Sequence, residues 1–108
     1  MLYVMLSLDL SGAENQRYAF NQQLEVEGFQ KLTNVDTVWT TSIEGYDDKE
    51  GLVARGFKKF FKDTAVKFEI PKLTYVVQIG NSEALGVLIE LRYGAYEIED
   101  FDPTQPAT

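Results

Sequence analysis

Hydrophobic and polar positions alternate from the second residue of the chain, and this alternation predicts a β-strand over residues 2–10. One face of that strand would carry an aliphatic row made of Leu2, Val4, Leu6, Leu8 and Leu10. The other face would carry Tyr3, Met5, Ser7 and Asp9. We expect the aliphatic row to pack under helices, which leaves the second row facing outward.

Further along the chain, the spacing of hydrophobic residues changes several times between the periods of a helix and of a strand. Helix-forming residues fill 13–27, and Gly28 would end that helix. Residues 29–33 and 35–43 indicate a β-hairpin, and residues 49–65 form the clearest helix, with an apolar stripe that includes Phe57 and Phe61. Strands are predicted over 72–80 and 85–93. The rest, 96–108, is an acidic tail that we expect to fray beyond Phe101.

This order predicts an α+β fold: a ferredoxin-like βαββαβ plait with an extra C-terminal strand. We assign residues 1–95 to a single domain and residues 96–108 to the tail. Both helices would cover one face of the sheet, and the open face would expose Tyr3 and Met5 together with Trp39 or Val38. A partly apolar open face favours a partner, so we expect Tyr3, Met5 and Trp39 to form the interface of a two-fold homodimer.

The amino-acid composition excludes several kinds of catalytic and metal-binding site. The 108 residues include no cysteine and no histidine, which excludes thiolate zinc sites, disulfides and catalytic pairs that use imidazole. The net charge of −7 argues against broad, sequence-independent nucleic-acid binding. The apolar N-terminus is too short to span a bilayer and lacks a basic leader, so we expect no membrane association and a cytoplasmic location.

A family resemblance covers roughly residues 1–80 of the chain. It is carried by the opening strand YVMLSLDLS, the later GFQKL and the segment VDTVWTTSI. In this succession the chain resembles the second universal CRISPR-associated adaptation protein and the VapD-type and GhoS-type toxin–antitoxin ribonucleases. The resemblance implies a ferredoxin-like homodimer. It also implies that Asp9, at the end of the first strand, lies near the two-fold axis and serves a metal-dependent reaction that cleaves phosphodiesters.

Asp9 therefore has two interpretations. Paired with its symmetry mate, its carboxylate would hold Mg²⁺, which takes one or two carboxylates plus water and phosphate, and the ion would activate water. Alternatively, Asp9 caps the turn at Ser11 and Gly12 or the following helix.

Four cations, Arg55, Lys58, Lys59 and Lys62, recur on one side of the second predicted helix. Such a stripe would suit the phosphate backbone of RNA or DNA. It would equally suit a solvated helix face, and the acidic tail would be able to fold against it.

Three further features have both structural and functional interpretations. The acidic residues Asp47, Asp48 and Glu50 would be stabilised by the dipole at the N-terminus of the second helix. The aromatic residues Phe29, Trp39 and Tyr75 would stack bases or, as we favour, belong to the core or the dimer interface. Residues 97–102 would mimic phosphates for a basic partner or simply keep the tail solvated.

The leading hypothesis is a homodimeric, metal-dependent endoribonuclease or deoxyribonuclease with Asp9 as its catalytic metal ligand. The competing hypothesis is a non-catalytic interaction protein, such as an antitoxin or inhibitor, whose acidic surface docks a basic protein. A subunit without independent chemistry is a third possibility.

Overall fold

The structure is a computed structural model that describes residues 1–35 and 37–105. Asp36, which belongs to the VDTVWTTSI segment, and the end of the predicted tail at 106–108 lie outside the described residues. The helices are α1 (Arg17–Val26) and α2 (Glu50–Lys67). The strands are β1 (Leu2–Ser11), β2 (Gln30–Lys31), β3 (Val38–Ile43), β4 (Lys72–Ile79), β5 (Leu85–Arg92) and β6 (Ala95–Phe101).

The six strands form one open antiparallel sheet in the order β2-β3-β1-β4-β5-β6. Strand β1 lies inside the sheet, where Leu6 is opposite Trp39 of β3 and Val77 of β4. The α+β class is therefore confirmed. The sheet has two strands beyond β4, however, whereas the sequence predicted one.

The alternation predicted for the first strand is confirmed, since β1 is buried at every second residue from Leu2 to Leu10. This row forms the floor of a core that both helices cover. Phe20 of α1 stacks on Phe61 of α2 with ring centroids 6.5 Å apart, and Phe61 also meets Tyr75 of β4 at 4.7 Å. Burial of these large side chains holds the helices to one face of the sheet.

Both helices end in the same hydrogen-bonded motif. After α1 the amide of Phe29 donates to Leu24 and that of Gly28 to Glu25, which is the pattern of a Schellman cap. Gly28 has a φ of +95°, so the predicted role of this glycine at the helix end is confirmed.

The N-terminal end of α1 differs from expectation. The helix begins at Arg17 instead of residue 13, and its N-cap residue, Gln16, makes no side-chain capping bond.

The predicted tail begins as a strand. Residues from Ala95 pair with β5 along the whole of β6. The Tyr96 hydroxyl lies 2.9 Å from the carbonyl oxygen of Ile70 and 3.2 Å from that of Ala65, and it donates to them. This contact ties β6 to the segment that follows α2. Neither helix of the described chain combines the length and the hydrophobicity that crossing a bilayer requires.

Candidate interaction surface

The open face of the sheet displays the outward row of β1. Tyr3 is 70% exposed and Met5 is 53% exposed. Directly beside them lie residues of the two neighbouring strands, because Tyr3 is opposite Ser42 and Met5 lies between Thr40 and Gln78. The sheet register thus gathers large apolar side chains among small and uncharged ones.

We call this part of the open face the uncharged patch. It consists of Tyr3, Met5, Ser7, Gln30, Val38, Thr40, Ser42, Thr74, Val76 and Gln78. A shallow depression of about 490 Å³ opens around Tyr3, Met5 and Thr40. Solvent-exposed tyrosine and methionine in a setting without charge are typical of the centre of a protein–protein interface.

The β5–β6 half of the same face has a different character. Arg92 makes ion pairs with three carboxylates: Glu90 at 2.8 Å, Glu97 at 3.1 Å and Glu99 at 3.1 Å. These hydrogen bonds, the one to Glu90 foremost, raise the pKa of the Arg92 guanidinium. We call these four residues the acidic strip, because their three carboxylates outnumber the guanidinium even when Lys72 of β4, which lies opposite Glu90, is counted with it.

The acidic strip could not be read from the sequence alone. Its members lie on two strands and share a face only because Glu90 of β5 is paired with Glu97 of β6, and Leu88 with Glu99. The alternation within β5 and β6 gives the side on which each residue lies, but the pairing register decides which residues meet.

Asp9 lies on the open face, exposed near the end of β1, with Thr74 of β4 opposite it. The capping alternative for the helix does not hold, because the N-cap position of α1 belongs to Gln16. Within the described residues, no three acidic, histidine or cysteine side chains come together to hold a metal ion. Asp9 is therefore not part of a cluster of three or more such ligands within the described residues.

The cationic residues of α2 lie on the other side of the sheet from Asp9, since α2 covers the buried row of β1. Lys58 is paired with Asp100 of β6 at 2.7 Å, and Lys59 with Asp63 at 2.8 Å. Arg55 and Lys62 are exposed. The expectation that the acidic tail folds against this helix is met at Lys58, and the structure does not bring the cationic stripe and Asp9 to one surface.

The three aromatic candidates for base stacking are core residues: Trp39 and Tyr75 are 2% exposed, and Phe29 is 5% exposed. The expected place of Trp39 in an interface on the open face is therefore wrong. Trp39 is opposite Leu6 on the buried face, and its neighbour Val38 faces outward beside Ser7.

The loop before α2 has a structural role in holding the N-terminus. Asp47 binds the N-terminal ammonium of Met1 at 2.8 Å, and Glu50 lies in the first turn of α2. A carboxylate in that turn interacts favourably with the helix dipole, as the sequence indicated.

Comparison with protein-family models, curated proteins and solved structures finds no match to this chain.

Proposed function

We propose that this chain is a ferredoxin-like plait that works as a homodimeric interaction protein, with the uncharged patch as its self-association surface. The strand order β2-β3-β1-β4, with a helix after β1 and another after β3, supports the plait assignment. Strands β5 and β6 extend this plait at the β4 side.

The observation that carries the dimer proposal is the exposure of Tyr3 and Met5 on the open face, where their cross-strand neighbours Ser42, Thr40 and Gln78 are uncharged. A second copy is the partner that suits this patch, because a two-fold axis through it places apolar groups of one chain on those of the other. The same axis keeps the two acidic strips at the periphery, where their repulsion is screened by solvent.

The dimer is tested by measuring mass in solution by light scattering and sedimentation. In the variant Tyr3→Thr with Met5→Thr, two large contacts are lost while the strand keeps residues of good β propensity. We expect the dissociation constant to rise about tenfold or more, since each such contact at an interface centre is worth on the order of 1 kcal/mol.

Tyr18→Gln is the matched control, because Tyr18 is 75% exposed on α1 and lies away from the open face. This variant should dimerise as the wild type does. A monomeric wild type at about 100 μM, or a Tyr3/Met5 variant of unchanged mass, would disprove the proposed interface.

The proposed partner of the dimer is a basic protein surface that meets the acidic strip. The probe is a lysine-rich peptide titrated into the protein at low salt. The double variant Glu97→Gln with Glu99→Gln should weaken binding several-fold, because it removes two of the three carboxylates around Arg92. Equal binding by wild type and variant would place the contact elsewhere.

A second candidate function, metal-dependent phosphodiester cleavage, is favoured by one observation: Asp9 is exposed on the face that we propose to pair. A two-fold axis displaced along β1 toward Asp9 would bring two Asp9 carboxylates together to hold Mg²⁺, which supplies an activated water when bound. We expect Asp9→Asn to abolish any cleavage of single-stranded RNA that depends on magnesium. If wild type and Asp9→Asn are equally inert, the nuclease hypothesis fails and the interaction protein stands.

A further inference from the structure

A groove of about 460 Å³ opens between α2 and the ends of β4, β5 and β6, on the helical side of the sheet. Its floor is apolar, with Tyr75, Val77 and Val87 almost fully buried beneath it. Leu85, at the mouth, is 42% exposed. Ala54, Arg55 and Lys58 of α2 line the helical wall of the groove.

Of the three floor residues Tyr75, Val77 and Val87, Tyr75 is the one with a polar side-chain group, its hydroxyl. Tyr75 is 2% exposed, yet its hydroxyl makes no hydrogen bond within the described residues and is not sealed from the groove. The other buried-side tyrosine, Tyr96, does bond to the main chain at Ile70 and Ala65. Because no protein group holds this hydroxyl, it is free to bond either water or a molecule in the groove, and Tyr75 therefore offers a ligand one hydrogen-bond donor.

Burial raises the pKa of Tyr75, and the nearby Asp100 charge adds to the effect. The hydroxyl therefore stays protonated and remains a hydrogen-bond donor at physiological pH. Both Tyr75 of β4 and Asp100 of β6 line the groove.

The charges on the walls compensate each other beside Tyr75. Lys58 of α2 and Asp100 of β6 form an ion pair across the groove with Nζ and Oδ1 2.7 Å apart. At the mouth, Arg55 and Glu83 bring one charge of each sign, and Asp102 is held by Thr104. A charged ligand would have to separate the pair of Lys58 and Asp100, whereas a neutral one would use it as an adjacent donor and acceptor.

From this geometry we propose that the groove binds a small uncharged molecule with an apolar body and a head group, such as a carboxamide, that both donates and accepts hydrogen bonds. The body would lie on Leu85, Val77 and Val87. The head would accept a hydrogen bond from Tyr75 and meet the pair of Lys58 and Asp100. The site is on the opposite side of the sheet from the uncharged patch, so it is independent of the proposed dimer.

The test uses the full chain and three probes that share one body: naphthamide, naphthoate and naphthylmethylamine. Methyl resonances of Leu85, Val77 and Val87 are followed by NMR during titration. We expect the amide to bind most tightly and to shift these methyl groups. Tyr75→Phe, which removes only the hydroxyl, should weaken amide binding about tenfold.

Leu85→Gln and Leu91→Gln are matched variants, because both leucines lie on β5 with exposures of 42% and 44%, and of the two only Leu85 lines the groove. The first should weaken amide binding and the second should leave it unchanged. Three results would each overturn the proposal. They are tighter binding of naphthoate or naphthylmethylamine than of naphthamide, an unchanged amide affinity in Tyr75→Phe, and the absence of saturable shifts up to the solubility limit of the amide.

Discussion

Gly86 of β5 lies directly opposite Phe101 of β6, and the aromatic ring occupies the space that any larger residue would need. A Cβ at Gly86 would stand 2.5 Å from the Phe101 ring. We therefore expect Gly86→Ala to lower the free energy of unfolding by about 1–3 kcal/mol, as overpacking of a filled site does. Urea denaturation measures this loss.

The double variant Gly86→Ala with Phe101→Ala isolates the cause. If the clash is responsible, the glycine substitution should cost much less once the ring is gone, and the two effects should not add. Additive effects would show that Gly86 is needed for another reason.

The buried tyrosines predict how stability depends on pH. Burial raises the pKa of Tyr75, with Asp100 contributing, and it raises that of Tyr96, with Glu69 contributing. Their stabilising effect is complete below the unfolded pKa of about 10 and is lost as pH rises through the higher folded values, because only the unfolded chain then releases these protons.

The free energy of unfolding should therefore fall as the pH rises above about 10, and the fall should be shallower in Tyr75→Phe with Tyr96→Phe. Tyr18→Phe, which alters a phenol that is 75% exposed, is the matched control for the loss of a tyrosine. A flat profile for the wild type would contradict the prediction.

At the scale of residues, the sequence was sufficient to predict the buried side of a strand where hydrophobic and polar residues alternate over its whole length. The leucine row of β1 alternates over the whole strand, so its buried side is unambiguous. Strand β3 has six residues, mostly intermediate in burial, and its composition does not indicate which side is buried. Only pairing with β1 places Trp39 opposite Leu6 and hence in the core. The prediction for Trp39 failed because the pairing of this short strand with β1, and not its own composition, decides which of its residues face the core.

The two helices have equivalent C-terminal caps built on different residues. After α2, Ile70 donates to Ala65 and Glu69 to Val66, which repeats the arrangement at Gly28 after α1. Glu69 has a φ of +53°, a conformation that a residue with a Cβ adopts at a cost. Glu69→Gly should therefore stabilise the protein by up to about 1 kcal/mol, and Gly28→Ala should destabilise it by about 1–2 kcal/mol.

Thermal unfolding measured on the two variants tests this assignment. A change of about 1 kcal/mol corresponds to a shift of about 4–8 °C in Tm for a domain of this size. Destabilisation by Glu69→Gly would mean that the Glu69 side chain contributes more than its backbone strain costs.

At the scale of elements, the helices and the long strands were predictable because each has a run of periodic residues. The end of the sheet was not. Residues 96–102 are mostly acidic, and acidity suggested a solvated tail. Yet β6 is the edge strand of the described sheet, and charged residues there keep an unpaired edge from joining other chains. In the structure, the hydrogen bonds of Tyr96 to two carbonyl groups show that the segment is attached to the domain.

At the scale of the whole molecule, the order of elements was enough to predict an open face, because both connections that contain a helix cross on the same side. The division of that face was not predictable. It depends on β5 and β6 placing Glu90, Glu97 and Glu99 around Arg92, far along the sheet from Tyr3. The proposed dimer interface is therefore uncharged although the chain carries a net charge of −7.

This contrast predicts the direction in which salt acts on self-association. Two chains of net charge −7 repel each other, and the uncharged patch offers no opposite charge to offset that repulsion. Raising the ionic strength from about 0.01 M to 0.15 M shortens the Debye length from about 30 Å to 8 Å, so added salt should strengthen the dimer several-fold. Sedimentation at a series of sodium chloride concentrations measures the effect.

If salt weakens the dimer instead, attraction between opposite charges holds the two chains together. The contact would then join the acidic strip of one copy to the exposed cations Arg55 and Lys62 of another. That arrangement is head-to-tail, so it would not close at two chains and would leave Tyr3 and Met5 uncovered.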